Sequence, residues 1–301
     1  MRNRIEEFRA RFEEKGLELV IPEFVQTLTE AELMEIVPTV DAWIIGDDPA
    51  TEKVFEAGKA GKLRAAVKWG VGVDNVDFKA CERLGIPISN TPAMFGGEVA
   101  DVGITFMLGL ARQTYYIDRE VRKGNWVKPC GISVTGKTVG VVGLGDIGRA
   151  TTQRLSGFGV HVIGYDPFTE LTPNEAHVQE ILPFPDKLDQ CDFVILTCAL
   201  TPSSFHLINE STINQMKDGV YLVNISRGKL IDEPALVKAL ESGKIAAAGL
   251  DVFDEEPLTA ENPLRTFEQC IFGTHNGSNT IEGVRRATEK AMSLLFGYLN
   301  V

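Results

Sequence analysis

The sequence predicts an α/β fold of two parallel-sheet domains, and three features lead there. Short, nearly continuous apolar strands alternate with helical segments, the pattern of a parallel sheet covered on both faces. The alternation breaks at Thr91-Pro92 and resumes at Lys137. With 301 residues and 44% hydrophobic content, the chain can build two medium domains with cores of their own.

In order, Ile5, Phe8 and Phe12 recur at near-helical spacing, and Leu17-Glu18-Leu19-Val20-Ile21 reads as a short strand. Ala31 to Val37 predicts a helix, Ala42-Trp43-Ile44-Ile45 an apolar strand, and Phe55 to Gly61 a helix. Ala65 to Trp69 is the next strand. A glycine-rich turn, Gly70-Val71-Gly72-Val73-Asp74, leads to a helix from Phe78 to Leu84 and a strand at Ile86-Pro87-Ile88. A long helical segment spans about Glu98 to Ala111. The second series then places strands at Thr138–Val142, His161–Tyr165, Phe193–Leu196, Tyr221–Asn224, Ala246–Leu250 and Ile271–Phe272. Ile281 to Leu299 predicts the closing helix.

The net charge of -12 is spread along the chain, so it carries no footprint for nucleic acid or an anionic membrane. No apolar stretch is long enough to cross a bilayer, and the N-terminus lacks the apolar run of a secretory signal. The five cysteines are scattered and form no Cys-x-x-Cys pair, which predicts neither a disulfide framework nor a zinc or other metal site. A cytoplasmic location fits these features best.

Gly143-Leu144-Gly145-Asp146-Ile147-Gly148 matches G-x-G-x-x-G, a weak signal by itself. Here it follows the apolar strand Thr138–Val142 and precedes a helical segment, Arg149 to Leu155. In that Rossmann-like setting Gly143 permits the tight turn, Gly145 lets the backbone approach a pyrophosphate, and Gly148 brings helix and strand close. The helix N-terminus then receives the phosphates. Roughly twenty residues on, Asp166 ends the next strand, where an acid accepts both ribose hydroxyls and repels a 2′-phosphate. The expected cofactor is NAD rather than NADP.

Several separate segments resemble the D-isomer-specific 2-hydroxyacid dehydrogenase family, in its phosphoglycerate-dehydrogenase-like branch. They are Lys68–Asn75, Leu222–Gly228, Gly249–Pro257 and Thr274-His275-Asn276-Gly277, in that order. The resemblance implies two Rossmann-like/flavodoxin-like parallel-sheet domains with a cleft between them. Residues 1–92 and 276–301 would form the substrate-binding domain, and residues 93–275 the NAD-binding domain. It further implies a homodimer formed through the helix at Glu98–Ala111 and the segment to Pro129.

The resemblance makes Arg227 the catalytic cation. Its planar fork can hold a substrate carboxylate and polarise the carbonyl, although an Arg beside a Gly at a strand end is more often a surface residue. Four histidines could supply the proton. His161 begins a strand, His177 sits in a polar loop and His206 in a connection, while the family's general acid corresponds to His275. Its carboxylate partner corresponds to Glu256. Spacing alone would equally allow Asp254 or Glu255; the family motif, with Glu directly before Pro, selects Glu256. Such a neighbour favours the imidazolium form. By the same resemblance Asp251 accepts from the nicotinamide carboxamide, Asp146 and Ile147 offer amides to the pyrophosphate, and Cys198 and Ile225 line the cofactor. Val71 and Gly72 offer amides to the substrate carboxylate. Cys198 reads as a small packing residue.

The sequence departs from the family pattern in three places. Phosphoglycerate dehydrogenases carry a phosphate-binding Arg after the strand matching Trp43–Ile45, where this chain reads Gly46-Asp47-Asp48-Pro49. Two acids there would repel a phosphate, so 3-phosphoglycerate is not expected as the main substrate. Cys198-Ala199-Leu200 replaces the usual Pro-Leu. The family's first interior strand has no counterpart after Met1, which suggests a polypeptide beginning upstream, since a missing interior strand leaves backbone groups unpaired. The expected activity is NAD-dependent interconversion of a small D-2-hydroxy acid and its 2-oxo acid. A non-enzymatic NAD(H) sensor of the corepressor type is the alternative; formate oxidation fits less well because Glu256 is retained.

Overall fold

The computed structural model describes residues 2–23, 27–170 and 177–301. The chain divides into two compact units, Met1–Met94 with Asn279–Val301, and Phe95–Ser278.

In the first unit a 3-10 segment, Arg2–Phe8, runs into α1, Arg9–Glu13. Helix α2, Glu30–Ile36, starts at a capping box in which Thr29 and Glu32 satisfy each other's backbone amides. Strand β1 (Ala42–Ile45), α3 (Glu52–Ala60), β2 (Ala65–Lys68), α4 (Phe78–Leu84) and β3 (Ile88–Asn90) follow. The strands pair in parallel in the order β1-β2-β3, with Ala42 opposite Ala65 and Ala66 opposite Ile88.

The second unit opens with α5 (Gly96–Arg112) and α6 (Thr114–Arg122). It continues through β4 (Thr138–Val142), α7 (Asp146–Leu155), β5 (His161–Tyr165), β6 (Glu180–Ile181) and β7 (Phe193–Leu196). Helix α8 (Glu210–Gln215), β8 (Val220–Asn224), α9 (Glu233–Ser242), β9 (Ile245–Leu250) and β10 (Ile271–Phe272) complete it. All seven strands are parallel, in the order β10-β9-β8-β7-β4-β5-β6. The order reverses between β4 and β7, and ligands bind such sheets outside the carboxyl ends of the strands at the reversal. Burial explains the apolar runs: β4 from Val139 onward and all of β7 are buried, as expected of strands covered on both faces.

The chain returns to the first unit as α10, Ile281–Leu299. Alternate residues of β2 then face different cores. Ala66 packs with Leu33, Val54 and Phe55, whereas Ala65 and Val67 pack with Phe12 and with Ala291, Met292 and Leu295 of α10.

One expected strand is absent. Residues 17–23 join no ladder among the described residues, although Leu17, Leu19 and Ile21 pack at alternate positions on the core formed with α10. The covered side chains alternate as a strand's do, but a strand also needs a neighbouring backbone, which the sequence pattern does not record. The strand expected at Ile86–Ile88 lies two residues later, after Pro87, whose carbonyl accepts from the Ala66 amide. The two-residue β6 was not foreseen, being too short for any periodicity.

Candidate active site

The glycine loop leaves β4 at the reversal point. Gly143 adopts φ 94°, and a Cβ there would lie 2.5 Å from the Cys198 Cα. A Cβ on Gly148 would lie 1.9 Å from the Gly143 carbonyl oxygen, so only glycine lets α7 start this close to β4. Gly145, by contrast, faces no neighbour within 4 Å. Asp146 and Ile147 form the first turn of α7, with the Asp146 carboxylate against Gly96 at the start of α5.

Asp166 stands just past β5 and is tied to the loop: its carboxylate accepts from the Leu144 amide at 2.7 Å and the Phe168 amide at 2.8 Å. Thr197, to which the motif assigned nothing, donates from its hydroxyl to the Gly143 carbonyl at 2.6 Å and to that of Val142 at 3.0 Å. A hydroxyl following an apolar strand was its sole signal. The loop, the helix start and the placed acid fit a dinucleotide on chemical grounds, since anion-seeking amides and a ribose acceptor stand around open space.

Cys198 packs against this loop, and burial pushes its thiol up to about 11, which leaves it neutral and unreactive near pH 7. The Ile225 side chain is buried and turned toward Gly103 of α5, where a Cβ would come within 2.7 Å of it. Any part it takes in lining the cofactor therefore falls to its backbone.

Arg227 follows β8, and its Nη1 donates to the Ser226 carbonyl at 2.8 Å. The turn beneath it is built by Asn224, which is fully buried. The Asn224 side-chain amide donates from Nδ2 to the Arg227 carbonyl at 2.8 Å, and its Oδ1 accepts from the Ser226 amide at 3.1 Å. Asn224 belonged to the quoted motif, but no role for it was legible there.

His275 and Glu256 come together: Nδ1 of the ring lies 2.8 Å from Oε2 of the carboxylate. The other oxygen of Glu256 accepts from the Phe253 amide at 3.0 Å, which fixes the carboxylate on its own loop. Asp254 forms no such pair; burial raises its carboxyl pKa, and its own amide is taken by Glu233. Of the other histidines, His161 lies 3.5 Å from Glu180, His177 meets the Thr152 hydroxyl, and His206 stacks on Phe205.

His275 itself has φ 54°, an unusual conformation for a residue with a side chain. Asp251, just past β9, holds it there. The Asp251 carbonyl accepts from the His275 amide at 2.6 Å, and its carboxylate accepts from the amides of Asn276 at 3.1 Å and Gly277 at 2.9 Å. A Cβ on Gly273 would lie 2.0 Å from that carboxylate. Burial raises the Asp251 carboxyl pKa, and the two amides oppose the shift. In the first unit, Val71 and Gly72 lie in the turn after β2, pinned by the Asn90 side-chain amide donating to the Val71 carbonyl at 3.1 Å.

This geometry defines a class: a dinucleotide-dependent dehydrogenase whose Arg, His and Glu are carried by the glycine-loop unit. Residues 104–277 match the model of the D-isomer specific 2-hydroxyacid dehydrogenase NAD-binding domain. The chain is 36% identical over 273 residues to a glyoxylate reductase of Korarchaeum cryptofilum, covering 88% of this chain and 82% of that one. It is 35% identical over 279 residues to a hydroxypyruvate reductase of Thermotoga maritima, covering 91% and 90%. The apo-structure of D-lactate dehydrogenase from Escherichia coli superposes with a TM-score of 0.83 at 30% identity, covering 97% of this chain and 92% of that one. The chain belongs to the D-isomer-specific 2-hydroxyacid dehydrogenase family. It is an NAD-dependent oxidoreductase acting on CH–OH groups.

Proposed function

We propose that this enzyme interconverts small, unphosphorylated D-2-hydroxy acids and their 2-oxo acids, with Arg227, His275 and Glu256 as its catalytic residues. The observation that carries the reading is the 2.8 Å pair of His275 and Glu256, in the unit that also bears the glycine loop and Arg227. The glyoxylate and hydroxypyruvate reductases among its relatives support substrates of that size.

When bound, NADH supplies the hydride that goes to the substrate's C2. The chain's own residues do the rest. The Arg227 guanidinium binds the carboxylate and polarises the carbonyl. With Nδ1 committed to Glu256, His275 delivers its proton from Nε2 to the carbonyl oxygen as the hydride arrives, and recovers it in the reverse direction. Glu256 balances the imidazolium charge and fixes the ring. Asp146, Ile147 and the glycine loop would hold the pyrophosphate, Asp166 the ribose and Asp251 the carboxamide, while Asp251 also holds the His275 turn. In the first unit, the amides of Val71 and Gly72 take the substrate carboxylate.

For assembly, the proposal is a homodimer formed through α5, α6 and the segment to Pro129. Residues 112–130 hold no buried residue, yet include Tyr115, Val121 and Trp126, the last 82% exposed. An isolated helix of nine residues is marginal in water, and a partner covering the exposed face of α6 would stabilise it. Nearby, at the amino ends of β8 to β10, Tyr115, Tyr116 and Tyr221 line a hollow of about 360 Å³. All five cysteines are free, which suits the cytoplasm. No described helix is long and apolar enough to cross a membrane.

The test is NADH oxidation against a panel of 2-oxo acids. Turnover of glyoxylate or hydroxypyruvate is expected; NADH binding with no turnover of any member would instead support the sensing alternative.

A further inference from the structure

We propose that Lys68 and Asp47 form the element that selects the substrate's far end, with Asp47 screening a buried ammonium that would otherwise draw a second anionic group. This rests on the reading above that Val71 and Gly72 take the substrate carboxylate.

Lys68 ends β2 with its side chain 3% exposed, a rare position for lysine. Its ammonium donates to the Gly46 carbonyl and to Asp47 Oδ1 at 3.2 Å. It also lies within 4.0 Å of the Cβ that Gly70 would carry. The cation therefore sits at the root of the turn that presents Val71 and Gly72, in the same unit.

The two acids of the 46–49 stretch have separate tasks. The sequence suggested that both would repel a phosphate, but the Asp48 carboxylate is buried and accepts from the Leu28 amide at 2.9 Å. Asp47 alone is turned out, with its side chain 55% exposed. The loop cannot easily reposition it. The Asn75 side-chain amide donates to the carbonyls of Gly46 at 3.0 Å and Asp48 at 2.7 Å, and the Ala50 amide donates to the Asn75 carbonyl at 2.9 Å.

The substrate class follows from the charges. A phosphate or second carboxylate on C3 meets the exposed Asp47 anion before it can reach the buried ammonium, and like charges so placed discriminate by repulsion. A C3 hydroxyl can instead donate to an Asp47 oxygen, and a substrate lacking C3 makes no demand. The favoured substrates are 2-oxo acids with a small neutral group, or none, beyond the carbonyl.

The test compares hydroxypyruvate with 3-phosphohydroxypyruvate, which differ only in the far phosphate, using NADH and the full chain. Wild type should prefer hydroxypyruvate in kcat/KM by at least a hundredfold. In Asp47→Asn, and in Asp47→Ser should the first fold poorly, that preference should fall at least tenfold, mainly through KM for the phosphorylated substrate. In Asp47→Asn/Lys68→Met the gain should vanish. An unchanged preference in both single variants, with wild type active, overturns this inference alone, as does a gain that survives loss of Lys68. If wild type reduces neither acid while binding NADH, the functional reading falls, and this inference with it.

Discussion

His275 and Lys68 both stand at the carboxyl ends of parallel strands, yet they are held by different means. His275 sits in a turn set by backbone geometry: a left-handed residue, a glycine that leaves room for Asp251, and successive amides gathered by that one buried acid from the end of the neighbouring strand β9. Lys68 is likewise held from more than twenty residues away in sequence, by Asp47 and Gly46, but through its side chain rather than its backbone. Both ends of the first support, Asp251 and His275, lie in segments that resemble the family. The second joins such a segment to Gly46–Pro49, where the chain departs from the family pattern, and no spacing rule records it.

Variants in the second unit should break this comparison most severely. Arg227→Ala and His275→Ala should each lower kcat by about a thousandfold or more, because each removes a group acting on the reacting carbonyl. Fluorescence titration should show NADH still bound by both. Turnover within tenfold of wild type in either variant would remove it from the catalytic set.

Gly273→Ala should come next. The added methyl needs space occupied by the Asp251 carboxylate, so the His275 turn must shift and kcat should fall about a hundredfold, as misplacement near the chemistry does. Its expected signature is a loss in kcat larger than any rise in KM for the oxo acid. A fall in thermal stability with kcat intact would show that the turn tolerates displacement.

Weaker effects probe the frame beneath the site. Asp192 joins the amino ends of β4 and β8, accepting from the Thr138 amide and pairing with Lys217 and Lys137. These partners hold its carboxyl below the usual range, against the desolvation that opposes them. A depressed folded-state pKa stabilises the fold above the unfolded value of about 3.9, and that stability is lost as pH falls through the folded value. Asp192→Asn should therefore cost about 1–2 kcal/mol near pH 7 and flatten the acid limb of the stability curve below about pH 4. Denaturant titrations at pH 7 and pH 3 give both numbers, and an equal loss at the two values would contradict the assignment. Smaller again, Thr29→Ala removes the α2 capping box and should cost about 1 kcal/mol with no change in kcat.

The same contrast accounts for what was legible. The strands around the glycine loop could be read because each is buried on both faces, so apolarity and strand coincide from Val139 to Val142 and from Phe193 to Leu196. The pairing of His275 with Glu256 came through resemblance, since residue types alone left Asp254 and Glu255 open. Thr197 and Lys68 escaped because each acts through a partner brought close only by the fold, and Asn224 because its bonds within the next three residues depend on a turn conformation that residue types do not specify. Leu17–Ile21 misled for a related reason: its side chains alternate as a strand's do, but ladder membership depends on a neighbour.

The central claim is hydride transfer to C2 of a 2-oxo acid with D stereochemistry. The most direct measurement is reduction of hydroxypyruvate with NADH deuterated at nicotinamide C4, tested with each C4 stereoisomer, followed by chiral analysis and mass spectrometry of the glycerate. The account predicts D-glycerate carrying one deuterium at C2 from one of the two isomers. L-glycerate, or NADH oxidation with deuterium transferred from neither isomer, would contradict it.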